Sequence, residues 1–142
     1  MKEEELTNEA RVTLAFEGKN FNPNEFTKII GIEPDLIRIK DSRRLGVPRF
    51  NTWQISTDKI IADYIDIFEM ANEVIDRIKD KKAIIIESRK QIDFDLTMSV
   101  YIRFSLNDKH STPAIGFDSD AVKFLAEVGA SIDIDTYLQP HD

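Results

Sequence analysis

The clearest hydrophobic pattern in the chain is a regular alternation of apolar and polar side chains between Ile92 and Leu106. Successive side chains of a β-strand point to opposite faces, so this period of two predicts a long strand with one buried and one wet face. A second alternation, with Val12, Leu14 and Phe16 as its apolar members, predicts an earlier strand of the same kind. Both patterns are typical of a sheet with one side in contact with water.

A helix is predicted over Asn22–Ile30, directly after the earlier strand. Asn22 is a good N-cap, Pro23 suits the first helical turn, and Gly31 ends the element. The side chains predicted to form its hydrophobic staple and buried stripe are Phe21, Phe26, Ile29 and Ile30. A further strand is predicted at Leu36–Lys40.

The same arrangement recurs near the C-terminus, where a helix is predicted over Asp118–Val128 with Asp118 as its cap and Gly129 as its end. The side chains predicted to form its staple and stripe are Phe117, Val122, Leu125 and Ala126. Ile132 and Ile134 then alternate with aspartates in a last strand. The two segments are two β-loop-α-β units, which arose either by duplication or because capping physics selects the same residues twice.

The middle of the chain is predicted to contain a strand, a long helix and a buried strand. The first strand is Thr52–Thr57, and Asp58 is suited to cap a helix over Asp58–Lys81. Its apolar stripe, which we expect to pack on the sheet rather than on a partner helix, consists of Ile61, Tyr64, Ile65, Phe68, Ala71, Ile75 and Ile78. The apolar segment Ala83–Glu87 predicts a strand inside the sheet, with both faces covered.

These elements predict an α+β fold. We expect one mixed or largely antiparallel sheet of about six or seven strands, with the three helices packed on one face. The chain has 142 residues and no linker-like segment, so it is predicted to be one domain over residues 1–142, with an ordered core of about residues 11–138.

Composition removes several classes of function. The chain has no cysteine and only two histidines, His110 and His141, which excludes disulfides, thiolate metal sites and cysteine nucleophiles. It also lacks the glycine-rich loops that hold phosphates and the paired histidines that hold zinc. We therefore predict no cofactor, no metal and no catalytic residue. An enzyme whose active site has an unfamiliar pattern is the alternative.

Charge and hydropathy restrict the partners further. The formal net charge is -7 and the isoelectric point is about 4.9, which disfavours nucleic acid and anionic membranes as partners. No apolar stretch approaches the roughly 20 residues that cross a bilayer, and the first residues, Met1–Glu5, are acidic where a signal peptide is basic. We expect a cytoplasmic protein that binds another protein or itself.

Positive charge is concentrated in one segment, residues 38–49, whose formal charge is +4. Within and beside it, Arg43, Arg44, Arg49 and Trp53 are the candidate residues for binding a ligand or partner. Guanidinium groups bind phosphates and carboxylates, and an indole ring can stack on a ligand. The alternatives are that the arginines pair with acids of the same molecule and that Trp53 anchors the core.

Two pairs of carboxylates alternate along predicted strands, Asp93 with Asp95 and Asp133 with Asp135. Each pair lies on one face of its strand, and the two pairs together could hold a hard cation if the strands were adjacent. Alternating carboxylates are also typical of a sheet face that is simply wet, and we favour that interpretation.

Several segments resemble one bacterial family, the domain of unknown function 4279. The segments that carry the resemblance are Asn24-Glu25-Phe26, Ile30-Gly31-Ile32-Glu33-Pro34, Thr52-Trp53-Gln54-Ile55, Ile115-Gly116-Phe117 and Leu125 to Tyr137, whose Gly129-x-x-Ile132-Asp133-Ile134-Asp135-x-Tyr137 is the most specific piece. The resemblance implies a small intracellular bacterial protein and supplies no catalytic residue. The family tends to have a glycine directly after the strand that follows the proline turn, whereas Lys40 to Arg44 stand there in this chain.

Three functions remain after these exclusions. The leading hypothesis is a non-enzymatic domain that binds proteins or self-associates, for which an exposed apolar patch would be the sign. The second is a binder of small anions that uses the arginine segment, and the third is an unfamiliar enzyme. A toxin-neutralising, immunity-type role is suggested only by analogy with other small acidic bacterial domains.

Overall fold

The computed structural model describes residues 7–40 and 49–138. Its strands are β1 (Asn8–Gly18), β2 (Leu36–Arg38), β3 (Asn51–Ser56), β4 (Ile60–Ala62), β5 (Asp95–Phe104) and β6 (Ser131–Leu138). Its α-helices are α1 (Pro23–Ile30), α2 (Ile67–Ile78), α3 (Lys82–Gln91) and α4 (Ser119–Glu127), with a 3-10 turn at Lys79–Lys81. None of the helices in this part of the chain is long and apolar enough to cross a membrane.

All the strands belong to one mixed sheet, in the order β2-β3-β1-β5-β6, and the short strand β4 pairs with the start of β1. The central strand β1 is antiparallel to β3 and β5, whereas β5 and β6 are parallel. This architecture confirms the α+β prediction.

The period-two patterns correctly identify the buried face of the sheet. Val12, Leu14 and Phe16 on β1 lie opposite Val100, Met98 and Leu96 on β5, and all six side chains are buried. The helices cover this face, while the opposite face carries the intervening polar residues. The alternation overstates the strand at both ends, since β5 starts at Asp95 rather than Ile92 and stops at Phe104, and Leu106 is 41% exposed.

Helix α1 begins and ends as predicted. Asn22 Oδ1 accepts a hydrogen bond from the Glu25 amide at 3.1 Å, and Gly31 adopts the left-handed conformation with φ of 74°. The rings of Phe21 and Phe26 have centroids 5.3 Å apart, as a hydrophobic staple requires. Ile29 is exposed, so its place in the predicted stripe is wrong.

Helix α4 has the predicted cap and end, but its buried stripe is displaced. Asp118 Oδ1 accepts from the Ala121 amide at 2.9 Å, and Gly129 has φ of 72°. The prediction that Val122 and Ala126 are buried is wrong, because both are exposed. The buried side chains of this segment are instead Ala121, Phe124, Leu125 and Val128. The helix therefore turns the side that carries Phe124, rather than the side that carries Val122, toward the core.

The two β-loop-α-β units have the same order and direction of elements, but their two strands are adjacent in the sheet in only one of them. Strand β2 is antiparallel to β3, which is antiparallel to β1, so β1 and β2 run parallel with β3 between them. In the second unit β5 and β6 are parallel and adjacent. The common course of the chain is compatible with duplication, which stays a prediction.

The predicted helix Asp58–Lys81 starts too early. Residues Ile60–Ala62 form β4, which extends the sheet beside Asn8 to Ala10 of β1. The helix begins at Ile67, with Asp66 as its N-cap. The side chains of Ile61 and Tyr64, predicted to be buried in the stripe, are therefore exposed, and Phe68 inside the helix is exposed as well.

The predicted buried strand Ala83–Glu87 is wrong, because this segment lies in α3. Of its isoleucines only Ile85 is buried, while Ile86 is exposed. In the described sheet each inner strand, β3, β1 and β5, pairs with a neighbouring strand on both sides. No position between them is left for another strand. An apolar run of this length fits one side of a helix as well as it fits a strand.

Candidate functional site

Strand β6 is the most accessible regular element in the described part of the chain. All eight of its residues are exposed, from Ser131 to Leu138. One edge of β6 pairs with β5, and no strand among residues 7–40 and 49–138 pairs with its other edge. A free edge presents a row of backbone N–H and C=O groups that can bind another strand.

The helix-side face of β6 is apolar and incompletely covered. Ile132 and Ile134 lie beside Met98 and Val100 of β5, so they continue the hydrophobic face of the sheet by one strand. Met98 and Val100 are buried, whereas Ile132 and Ile134 are each 41% exposed and Leu138 is 70% exposed. The helical layer thus covers β5 and leaves its neighbour partly open to water.

The other face of β6 carries Asp133, Asp135 and Tyr137. Neither aspartate forms an ion pair or a side-chain hydrogen bond with any described residue. The Tyr137 ring lies against Tyr101 of β5, with ring centroids 5.5 Å apart. This face therefore offers two carboxylates without charge partners beside an exposed aromatic ring.

Tyr101 connects this face to a buried carboxylate. Its hydroxyl donates to Glu9 Oε2 at 2.5 Å, while Glu9 Oε1 lies 3.5 Å from both Lys59 Nζ and Arg103 Nη2. The Tyr101 hydrogen bond lowers the pKa of the Glu9 carboxyl, against the opposing effect of burial, and both cations add to the lowering. The same bond raises the pKa of Tyr101. Tyr101 is held in place by these contacts, so it provides a fixed support for Tyr137.

The sequence matches one family, described as a domain of unknown function (DUF4279), over residues 8–139. The chain belongs to the DUF4279 family. Comparison with curated proteins gave no match, and comparison with solved structures gave none either.

The motif that most resembles DUF4279 proteins coincides with the accessible strand. Gly129 ends α4, and Ile132, Asp133, Ile134, Asp135 and Tyr137 all lie on β6. Sequence reasoning identified the motif and the strand but not their exposure. That exposure depends on where the helical layer ends, which the local pattern does not encode.

Of the four candidate residues in and beside the arginine segment, the structure describes two, Arg49 and Trp53. Arg43 and Arg44 lie outside the described residues, and Arg49 is exposed. Trp53 is buried, with its ring edge-on to Phe16 and Phe26 and its indole N–H donating to Thr27 Oγ1 at 2.9 Å. Its aromatic surface is thus used inside the core, and anion binding by the arginines stays a prediction.

A cleft of about 530 Å³ lies beside this segment. Its lining consists of Lys19, Asn20, Phe21, Asn22, Pro23, Asn24, Ile39, Lys40 and Asn51. Asn51 is fixed there, because its side chain accepts from the Lys40 amide and donates to the Phe21 carbonyl, each at 2.8 Å. The lysines make the cleft basic, in contrast to the acidic β6.

One serine-histidine contact was not expected from the sequence. Ser105 Oγ lies 2.6 Å from His110 Nδ1, and the same hydroxyl accepts from the Asn107 amide at 3.0 Å. Nearby, the buried Asn8 side chain accepts from the Ser105 amide at 2.8 Å and donates to the Ser111 carbonyl at 2.6 Å. These bonds fix the loop after β5 against β1, as side-chain to backbone bonds commonly do in turns.

Proposed function

We propose that this chain is a non-enzymatic, intracellular bacterial protein-binding domain, which binds an extended segment of its partner as a strand added to the outer edge of β6. The observation that carries the proposal is the exposure of every residue of β6 beside the buried Met98 and Val100 of β5. An immunity-type role would be one form of this function, with a toxin as the partner.

Strand addition uses both features of β6. The backbone groups of the free edge supply hydrogen bonds that do not depend on the partner's sequence, and pockets for alternate side chains supply specificity. An added strand would also cover Ile132 and Ile134, which are half exposed. Full burial of an isoleucine is worth about 1.5–3 kcal/mol, so completing the burial of both contributes on the order of 2 kcal/mol.

The proposal is tested by selecting binders from a random library of peptides about twelve residues long, enough to span the eight residues of β6. The bound peptide is then located by hydrogen exchange. We expect the amides of residues 131–138 to gain protection, because the added strand bonds the free edge.

The double variant Ile132→Thr/Ile134→Thr keeps β-propensity and removes the apolar contact, so it should weaken the selected peptides by at least about tenfold. Ile61→Thr is the matched control, since Ile61 is an exposed isoleucine on the short strand β4. Selected peptides that protect another part of the chain, or that lose as much affinity with the control, would show that β6 is not the binding edge.

A further inference from the structure

We infer that the segment which binds β6 alternates basic with apolar side chains. This inference rests on the function proposed above and specifies the chemistry of the partner. It follows from the two unlike faces of β6, one apolar with Ile132 and Ile134 and one acidic with Asp133 and Asp135.

The geometry of strand pairing fixes where the partner's side chains lie. In an antiparallel pair, residues directly opposite each other have Cβ atoms about 4.5–5.5 Å apart and share a face. Side chains of the added strand therefore alternate between contact with the isoleucines and contact with the aspartates. Only a strand with the same period of two satisfies both faces at once.

Charge decides which polar side chains fit. Asp133 and Asp135 have no ion-pair partner among the described residues, and the whole chain carries a formal charge of -7. Lysine or arginine opposite them forms ion pairs, whereas aspartate or glutamate places like charges together. The exposed ring of Tyr137 offers a further contact to a basic side chain on this face.

The same charges disfavour a second copy of the chain as the occupant. A two-fold axis that joins two copies of β6 antiparallel keeps their acidic faces on the same side. If the axis passes anywhere from Asp133 to Asp135, an aspartate of one copy faces an aspartate of the other. Self-pairing through the centre of β6 thus opposes like charges at its middle positions.

The test uses three synthetic peptides of about twelve residues with valine at alternate positions and lysine, threonine or glutamate between them. Binding to the full chain is measured by fluorescence anisotropy at low and high salt. We expect the lysine peptide to bind about tenfold more tightly than the threonine peptide, as two exposed ion pairs predict, and the glutamate peptide to bind least. High salt should reduce the advantage of lysine.

The variant Asp133→Asn/Asp135→Asn should bring the lysine and threonine peptides to similar affinities. The matched control is Asp93→Asn/Asp95→Asn, which removes the same charge with the same spacing from another exposed pair and should retain the preference.

Each outcome distinguishes the two proposals. Equal binding of all three peptides at β6 would contradict the inference of a basic partner segment and would still support strand addition. If neither these peptides nor the random library binds at β6, strand addition itself fails. A dimer in sedimentation analysis, with residues 131–138 protected from exchange, would identify a second copy as the occupant and overturn the basic partner.

Discussion

At the scale of single residues, Glu9 is a carboxylate that the sheet buries without neutralising it. The residue is 5% exposed, yet the Tyr101 hydroxyl, Arg103 and Lys59 all favour its charged form. A buried charge is tolerated when hydrogen bonds and opposite charges replace water around it. Glu9 therefore supports the region where β1, β4 and β5 meet.

The Glu9 hydrogen bond predicts an acid dependence of stability. A carboxyl whose pKa is lower in the folded than in the unfolded state stabilises the fold above its unfolded pKa, and this contribution is lost as the pH falls through the folded pKa. Tyr101→Phe removes the largest cause of the lowering and should cost about 1–2 kcal/mol at neutral pH, with a smaller difference in acid. Urea unfolding at several pH values measures both effects.

Tyr137→Phe is the control for this change, since the two rings are in contact but no described residue bonds the Tyr137 hydroxyl. Equal unfolding midpoints for the two variants at neutral pH would mean that the bond from Tyr101 to Glu9 does not stabilise the fold.

Residue-level predictions succeeded where the cause is local. The caps at Asn22 and Asp118 and the glycine ends at Gly31 and Gly129 depend on neighbours within a few positions. The Glu9 cluster was not predicted, because Tyr101 lies 92 positions away and meets Glu9 only through the pairing of β1 with β5.

At the scale of elements, the region from Asp58 to Gln91 shows how a helical period can mislead. Ile61 and Tyr64 continue the spacing of the true helix backwards, but pairing with the start of β1 takes Ile60–Ala62 into the sheet. The segment Ile67 to Gln91 contains neither glycine nor proline. This absence of helix-ending residues favours a helical segment throughout, and it outweighs the apolar run that predicted a strand inside it.

One pair of variants distinguishes the two possible N-termini of this helix. Asp66 Oδ1 accepts from the Glu69 amide at 3.4 Å, so Asp66→Ala should cost about 1 kcal/mol of unfolding free energy through loss of the N-cap. Asp58 is exposed and caps no helix, so Asp58→Ala should change stability by less than about 0.5 kcal/mol. Chemical denaturation measures both, and the reverse order would support the helix start predicted from sequence.

At the scale of the whole molecule, the sheet order explains why the candidate surface was not predicted. The alternation identified β6 and its two faces, but not that β6 lies outermost. A strand with this pattern would be half buried under a complete helical layer. Here the helical layer leaves the outer strand partly open, so Ile132 and Ile134 remain accessible. The order of strands and the reach of helices are tertiary properties, which separate short patterns do not specify.

The sheet register also bears on the predicted independence from metal ions. Asp133 lies beside Ser99 and Asp135 beside Tyr101, whereas Asp95 precedes Ser99 by four positions along β5. Four positions correspond to about 13 Å along a strand, far beyond the roughly 2.5 Å bonds of a shared calcium ion. The Asp93/Asp95 pair and the Asp133/Asp135 pair are thus too far apart to coordinate one cation.

We therefore expect thermal unfolding to be insensitive to metal. The midpoint should stay within about 1 °C in excess EDTA and in millimolar magnesium or calcium, because a cation stabilises a protein only by binding its native state more tightly than its unfolded state. The unfolding midpoint of the variant Asp133→Asn should be equally insensitive to EDTA and to both cations. A rise of several degrees with either cation that disappears in Asp133→Asn would show instead that the aspartates of β6 bind a cation, with ligands other than Asp93 and Asp95 completing its coordination.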